Sequence, residues 1–348
     1  MKKVLSLILI FSLFACTPRQ EQGQKYEETM LAMGTLVTIT LYADNEKRAN
    51  KLFHDLLTDF KYMQVAWHPS KKGSLGRANG LIKYGEPFST GPAIKDLVLL
   101  GTRLSEQSEG YFNPAIGKLI QLWGFSQDKE MKGPPPDQKK IQVLLDSNPR
   151  MQDISFNGLT MSTSNPAVML DFGAFAKGYA VDKSIEYLKS MGVKNAIINA
   201  GGDLRAIGTK AGRPWKIGIR DPRASGKQAV IAGVEVQGDE SVFTSGDYER
   251  YYEYKGKRYH HIINPKTGYP ADKVRSVTIL HSSAAIADAA ATALFVAGPD
   301  NWERIAKRMG VDKVMLIDNQ GIIHLTPAMK ERLSFTESNL NIQVSKAF

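Results

Sequence analysis

Apolar positions along this 348-residue chain recur with two spacings, every second residue or every third to fourth, and the changes between them mark its elements. Thr35 to Tyr42 (TLVTITLY) alternates as a strand, preceded by Met33-Gly34. Asn45 to Met63 puts Leu52, Phe53, Leu56, Leu57 and Phe60 on one side of an amphipathic helix, and Pro92 to Gln107 reads as a second. An apolar run ending in Asp171 meets a glycine-containing turn. From there Phe175 to Met191 forms one helix closed by Gly192, with Ala180, Val181, Ile185 and Leu188 facing inward. A strand from Ala196 to Asn199 then breaks at Gly201-Gly202-Asp203, and further strands fall around Trp215 to Arg220 and Gln228 to Val236. Val242 to Tyr248 is a strand entering a Ser-Gly-Asp turn, and Ser282 to Ala297 is an alanine-rich helix with Ser282 or Ser283 as its cap. Ser126 to Arg150, broken by Gly133-Pro134-Pro135-Pro136, reads as a surface insertion without chemistry.

The N-terminus stands apart. Met1-Lys2-Lys3 and the apolar run Val4 to Ala15 have the form of an export signal over residues 1–15, too short to span a bilayer permanently. Cys16, the only cysteine, follows Leu13-Phe14-Ala15 as in a bacterial lipobox, where it would be lipid-modified and become the mature N-terminus. Residues 16–28 are then expected to be a lipidated flexible tether. With no second cysteine, disulfides, Fe–S clusters and zinc–thiolate sites are excluded. The formal charge is +10, or +8 once Lys2 and Lys3 are removed; the basic residues are scattered, which argues against nucleic acid and for surface character with some attraction to anionic lipids or a phosphate-bearing ligand.

Four places carry candidate chemistry. The helix after Gly173 offers unpaired backbone N–H groups with Lys177 in its first turn, which suits a phosphate, although short glycine turns and solvated lysines are also ordinary features. Neither the dinucleotide glycine fingerprint nor a P-loop is present. Asp288 and Thr292 lie one turn apart on one helix face, which suits a hard cation such as Mg²⁺; the other reading is a first-turn acid and a packing threonine. His260-His261 supplies a candidate general base. Trp67 can either stack on a planar ligand ring or fold into its own core.

Taken together, the clusters resemble the ApbE family of FAD:protein FMN transferases. The matching pieces are Met33-Gly34-Thr35, Ser74 to Asn79, Gly110 to Pro114, Leu122 to Phe125, DFGAFAKGYAVD, INAGGDLRAIG, TSGDY, HHIINPKTGYPA and ADAAAT with Ala293-Leu294-Phe295, in the family's order from about residue 30 to 298. The resemblance implies that FAD is bound, its pyrophosphate is cut, and FMN is joined by a phosphoester to a threonine of an acceptor flavoprotein, releasing AMP. It implies Asp288 and Thr292 as Mg²⁺ ligands, with the carbonyl of Ala174 a third. It implies Met33, Trp67, Tyr111, Phe112, Asn113, Asp171, Lys177 and the backbone of Ile263 as FAD contacts, and His261 as base, with His260 the alternative. Asn113 and Asn264 stand where many members carry Asp, and Ala291 where some carry an acid, so fewer charges are available. The expected fold is α+β, a mixed sheet flanked by helices in one large domain over residues 29–340. The expected partners are threonine-bearing flavin subunits of membrane redox complexes, and the expected location is the periplasmic side of the inner membrane. Hydrolysis of FAD to FMN and AMP, or simple FAD retention by a periplasmic lipoprotein, are the alternatives.

Overall fold

The computed structural model describes residues 23–69, 73–126, 133–224, 229–236 and 238–347. The export signal and Cys16 lie outside the described residues.

A nine-stranded sheet forms the frame among the described residues. Its strands are β1 (Gln24–Ala32), β2 (Thr35–Ala43), β3 (Ala196–Ala200), β4 (Asp203–Ile207), β5 (Glu240–Gly246), β6 (Val274–His281), β7 (Lys313–Asp318), β8 (Ile323–Leu325) and β9 (Ile342–Val344). They lie side by side in that order. Every neighbouring pair is antiparallel except β8 and β9, so the sheet is mixed by a single pairing. The tether expected over residues 16–28 gives way to β1 at Gln24. The polar residues of β1 are those of an edge strand with few buried positions, and the pairing of Gln24 to Ala32 with β2 makes them structural. A two-residue turn joins β1 to β2, with Met33 and Gly34 both at positive φ (51° and 76°), the backbone a tight hairpin demands. At the other end, β9 extends the ordered domain past residue 340.

One face of the sheet carries the helices α1 (Glu46–Ala66), α2 (Ser74–Ile82), α3 (Pro92–Gln107), α4 (Gly117–Leu122), α5 (Gln138–Asp146), α6 (Ala176–Ser190), α7 (Ala284–Ala297) and α8 (Trp302–Met309), most of them around one large core. A three-stranded sheet of residues 215–220, 230–236 and 333–335 covers the other face, packing Trp215, Ile219 and Val234 against Leu204, Ala206 and Val242. Covered on both sides, β4 is buried at all five positions, which explains why it shows no alternation. The stretch expected to be an insertion contains α5. Its Ile141 joins Trp123, Phe125, Tyr252 and Ile263 in a satellite core and sits against Gly268, whose positive φ (71°) and missing Cβ the contact requires. Ser74 to Asn79, one of the segments that carry the family resemblance, is the first part of α2.

Alanine dominates α7 because the helix is enclosed: twelve of its fourteen residues are buried, against β5, β6, α6 and α8. The approach to α6 is closest at Gly178, where a Cβ would stand 2.3 Å from the Ala284 carbonyl oxygen and 2.9 Å from the Asp288 Cβ.

Candidate functional site

Two helix starts meet here, and each is capped by a carboxylate of the other helix. At the start of α6 the N–H of Gly178 donates to Asp288 Oδ2 (2.9 Å). At the start of α7 the N–H groups of Ala284 and Ala285 donate to Asp182 Oδ1 (2.7 Å) and Oδ2 (3.0 Å), and the Ser283 hydroxyl donates to Oδ2 (2.7 Å). First-turn N–H groups have no partner within their own helix, so these bonds satisfy groups that burial would otherwise leave orphaned. Asp182 also accepts from Arg205 Nη1 (2.5 Å), and Arg205 is held in turn by Asp239.

Asp288 is buried, and burial pushes its carboxyl up to about 7 against the opposing pull of the Lys177 ammonium. Among the described residues only its Oδ2 has a hydrogen-bond partner. One turn along, the Thr292 hydroxyl meets the Ser245 hydroxyl at 3.3 Å. No group of three His, Cys, Asp or Glu side chains with metal-binding geometry exists among the described residues. A cation here would therefore take mixed oxygen donors: the remaining oxygen of Asp288, the Thr292 hydroxyl and the Ala174 carbonyl in the turn before α6. That all-oxygen set fits a hard ion such as Mg²⁺.

Lys177 forms an ion pair with Asp203, the aspartate that ends the Gly-Gly turn, and its ammonium lies over the Phe243 ring. The other oxygen of Asp203 accepts from the Thr244 N–H (2.7 Å), tying β4 to β5. The Asp203 and Asp288 carboxylates outweigh desolvation and hold Lys177 charged. The sequence marked Gly-Gly-Asp only as a turn; a charged residue at the start of a buried strand was the available signal for its role.

Asp171 accepts from the Gly173 N–H (2.8 Å), shaping the turn before α6, and burial raises its carboxyl. Asn79 fixes the preceding residue: its side chain accepts from the Leu170 N–H (2.8 Å) and donates to the Leu170 carbonyl (2.8 Å), as a neighbouring strand would. Arg250 acts on Asp171 and on His261 through its charge.

The two histidines separate by their bonds. His260 is buried, its Nδ1 accepting from the Ile262 N–H (3.3 Å) and its Nε2 facing the Ala271 carbonyl (2.6 Å), so both ring nitrogens are engaged and it belongs to the scaffold. His261 is half-buried, and its Nδ1 faces the Arg250 carbonyl (3.2 Å). A carbonyl only accepts, so Nδ1 carries the proton and Nε2 keeps its lone pair. Desolvation, then the Arg250 charge, lowers the imidazole well below the usual histidine range and keeps it neutral.

The remaining expected FAD contacts are more mixed. Met33 sits at the hairpin turn, its N–H donating to Gln64 Oε1 (2.6 Å). Trp67 is only 7% exposed, its ring edge-on to Tyr179 of α6 at 5.6 Å, which favours the core reading of this residue. Phe112, 1% exposed and edge-on to Phe175, is likewise core, and the side chain of Ile263 lies in the satellite core. Trp67 and Phe112 thus present little side-chain surface, while the place of the Ile263 side chain leaves the expectation of a backbone contact there as it was. Tyr111 stays half-buried under the Lys266 ammonium, 3.8 Å from its ring centre. Asn113 spends its amide on the Pro149 carbonyl (2.9 Å) and the Ala115 N–H (3.0 Å). Asn264 caps the Lys266 N–H (2.9 Å). Both asparagines close loops with neutral hydrogen bonds. A cavity whose lining includes Asp239, Glu240, His281, Asp312 and Lys313 meets this arrangement only at Asp239, and Asp239 and Glu240 are already paired with Arg205 and Arg332.

The class of protein is given by comparison with known families: residues 33–315 match the ApbE family, and the chain is a member of it. It is 39% identical to an FAD:protein FMN transferase of Rhodobacter capsulatus over 89% of this chain, spanning 58% of that longer protein. It is 31% identical to the FAD:protein FMN transferase of Klebsiella pneumoniae over 92% of this chain and 96% of that one. Among solved structures it superposes on an ApbE protein from Thermotoga maritima with a TM-score of 0.79 at 31% identity, covering 90% of this chain and all of the other. The flavin transferase ApbE of Vibrio cholerae gives 0.77 at 27% identity, over 89% and 99%.

Proposed function

We propose that this chain is an FAD:protein FMN transferase that moves FMN from FAD to a threonine hydroxyl of an acceptor flavoprotein, with Mg²⁺ in the oxygen-lined site. The reading is supported by the state of Asp288: a buried carboxylate with one oxygen spent on the Gly178 N–H and the other without a partner among the described residues, one turn from Thr292 and within the field of Lys177. When bound, Mg²⁺ supplies charge neutralisation at the pyrophosphate and the leaving AMP.

The protein's own groups do the rest. Lys177, in the first turn of α6, attracts the phosphates, with Asp203 restraining the ammonium; the Gly178 N–H there is already taken by Asp288. His261 Nε2 takes the threonine proton as the new O–P bond forms and the bond to AMP breaks. His261 is suited to this because it is neutral and its tautomer is fixed by the Arg250 carbonyl. Threonine-bearing subunits of membrane redox complexes are the proposed acceptors. Lipid attachment at Cys16, which lies outside the described residues, would hold the enzyme on the periplasmic side of the inner membrane beside them.

AMP release tests the reaction class. Transferase action requires AMP to appear in proportion to acceptor added; steady AMP and FMN formation without acceptor would make the chain a hydrolase, and no AMP under any condition would make it a binding protein.

A further inference from the structure

We propose that Asp182 is a positioning residue of the site: by fixing the start of α7 against α6, it sets where Asp288 and Thr292 stand relative to the Ala174 carbonyl. The inference rests on the metal reading above and concerns a residue that touches no proposed ligand.

The geometry is specific. Both oxygens of Asp182 are filled by α7, through the Ala284 N–H, the Ala285 N–H and the Ser283 hydroxyl, all within 3.0 Å. A local cap already exists, because the Ser283 hydroxyl accepts from the Ile286 N–H. A carboxylate brought in from α6 therefore adds what a local cap cannot, a fixed relation between two helices. Arg205, anchored by Asp239, neutralises the buried charge and holds its orientation.

The reciprocal bond makes the coupling direct. Asp182 stands six residues into α6 and grips the first turn of α7, while Asp288, on the second turn of α7, grips the first turn of α6. The two bonds form a closed pair across the Gly178–Ala284 contact. One helix residue is about 1.5 Å of rise and 100° of rotation, so even part of a residue's slip in α7 would turn Asp288 and Thr292 away from a shared cation. Groups hydrogen-bonded directly to a metal ligand typically change metal affinity by 10- to 100-fold when lost; Asp182 acts one step further out, through the helix, and belongs at the low end of that range.

The test is Mn²⁺ binding by the full chain without FAD, followed by the electron paramagnetic resonance of the free ion, for wild type, Asp182→Asn and Ser283→Ala. Asparagine keeps the volume and one acceptor oxygen but turns an NH₂ toward donors. The expected result is a loss of Mn²⁺ affinity of about tenfold or more for Asp182→Asn and a smaller loss, about threefold, for Ser283→Ala. With both variants folded by circular dichroism, the Mg²⁺ requirement of the reaction should rise while KM for FAD at saturating Mg²⁺ holds. Wild-type Mn²⁺ affinity in folded Asp182→Asn would overturn the proposal and leave Asp182 a stability residue. Should Asp182→Asn not fold, unchanged affinity in Ser283→Ala overturns it instead. A wild-type chain that binds no Mn²⁺ would overturn the metal reading itself, which is a different failure.

Discussion

The Gly178 N–H donates to the Asp288 carboxylate across the contact between α6 and α7, at a point where a side chain on residue 178 would run into the backbone of Ala284. One glycine thus serves both the packing of the two helices and the orientation of the buried acid.

Gly178→Ala tests this coupling. In an isolated helix the change would add about 1 kcal/mol of stability. Here the new Cβ would stand 2.3 Å from a carbonyl oxygen that cannot rotate away, so we expect a loss of about 2 kcal/mol instead, seen as a lowered midpoint in urea unfolding. Activity should fall even below the unfolding range, because separating the helices displaces Asp288 from the Ala174 turn.

Lys177 and Asp203 form a pair in which the acid is nearly enclosed and the ammonium about one-quarter exposed. Asp203→Ala removes the restraint on Lys177 and the acceptor for the Thr244 N–H together. A cost of about 3 kcal/mol in unfolding free energy is expected, the scale for stripping one member from a buried pair. A loss under 1 kcal/mol in chemical denaturation would mean that solvent compensates the lysine.

The paired histidines make opposite predictions. His261→Ala should remove most of the turnover, about 100-fold or more for loss of a general base, while leaving the unfolding midpoint nearly unchanged. His260→Ala should do the reverse in kind: the Ile262 N–H and the Ala271 carbonyl lose their buried partner, so stability drops by about 1 to 3 kcal/mol. Rates and unfolding curves measured on both variants decide the assignment.

The pH dependence follows from the direction of the histidine shifts. Both imidazoles are held below their ordinary value of about 6.5 in the folded protein, by burial first. The unfolded chain therefore binds more protons than the folded one between the folded values and about 6.5, and stability falls as pH drops through that window while their contribution stays flat above it. The acid limb of kcat/KM should likewise lie below 6.5. Arg250→Gln, which removes a positive charge acting on His261, should move that limb toward 6.5; a limb that stays put would place the titrating base elsewhere.

Much of the scaffold was legible in the pattern. The periods of about 100° per residue that marked α3 at Pro92–Gln107 and about 180° per residue that marked the strand at Trp215–Arg220 reflect elements with one buried face, and the structure places both as read. The extent of β1 was not legible, because an edge strand with polar neighbours looks like a tether. The helix α5 was hidden by the prolines before it, although Ile141 anchors it to the satellite core. Within the site, Asp171, Lys177 and Asp288 were marked by helix starts and spacing. Asp182, Asp203 and Asn79 were missed, since their partners lie 101, 41 and 91 residues away and no local pattern encodes them.

The central claim is tested most directly by the intact mass of a threonine-bearing acceptor domain incubated with this protein, FAD and Mg²⁺, beside the Asp288→Ala variant. The account predicts a covalent FMN adduct with the wild type and none with the variant. An acceptor that stays unmodified while FAD is cut to FMN and AMP, or an adduct formed equally by Asp288→Ala, would contradict it.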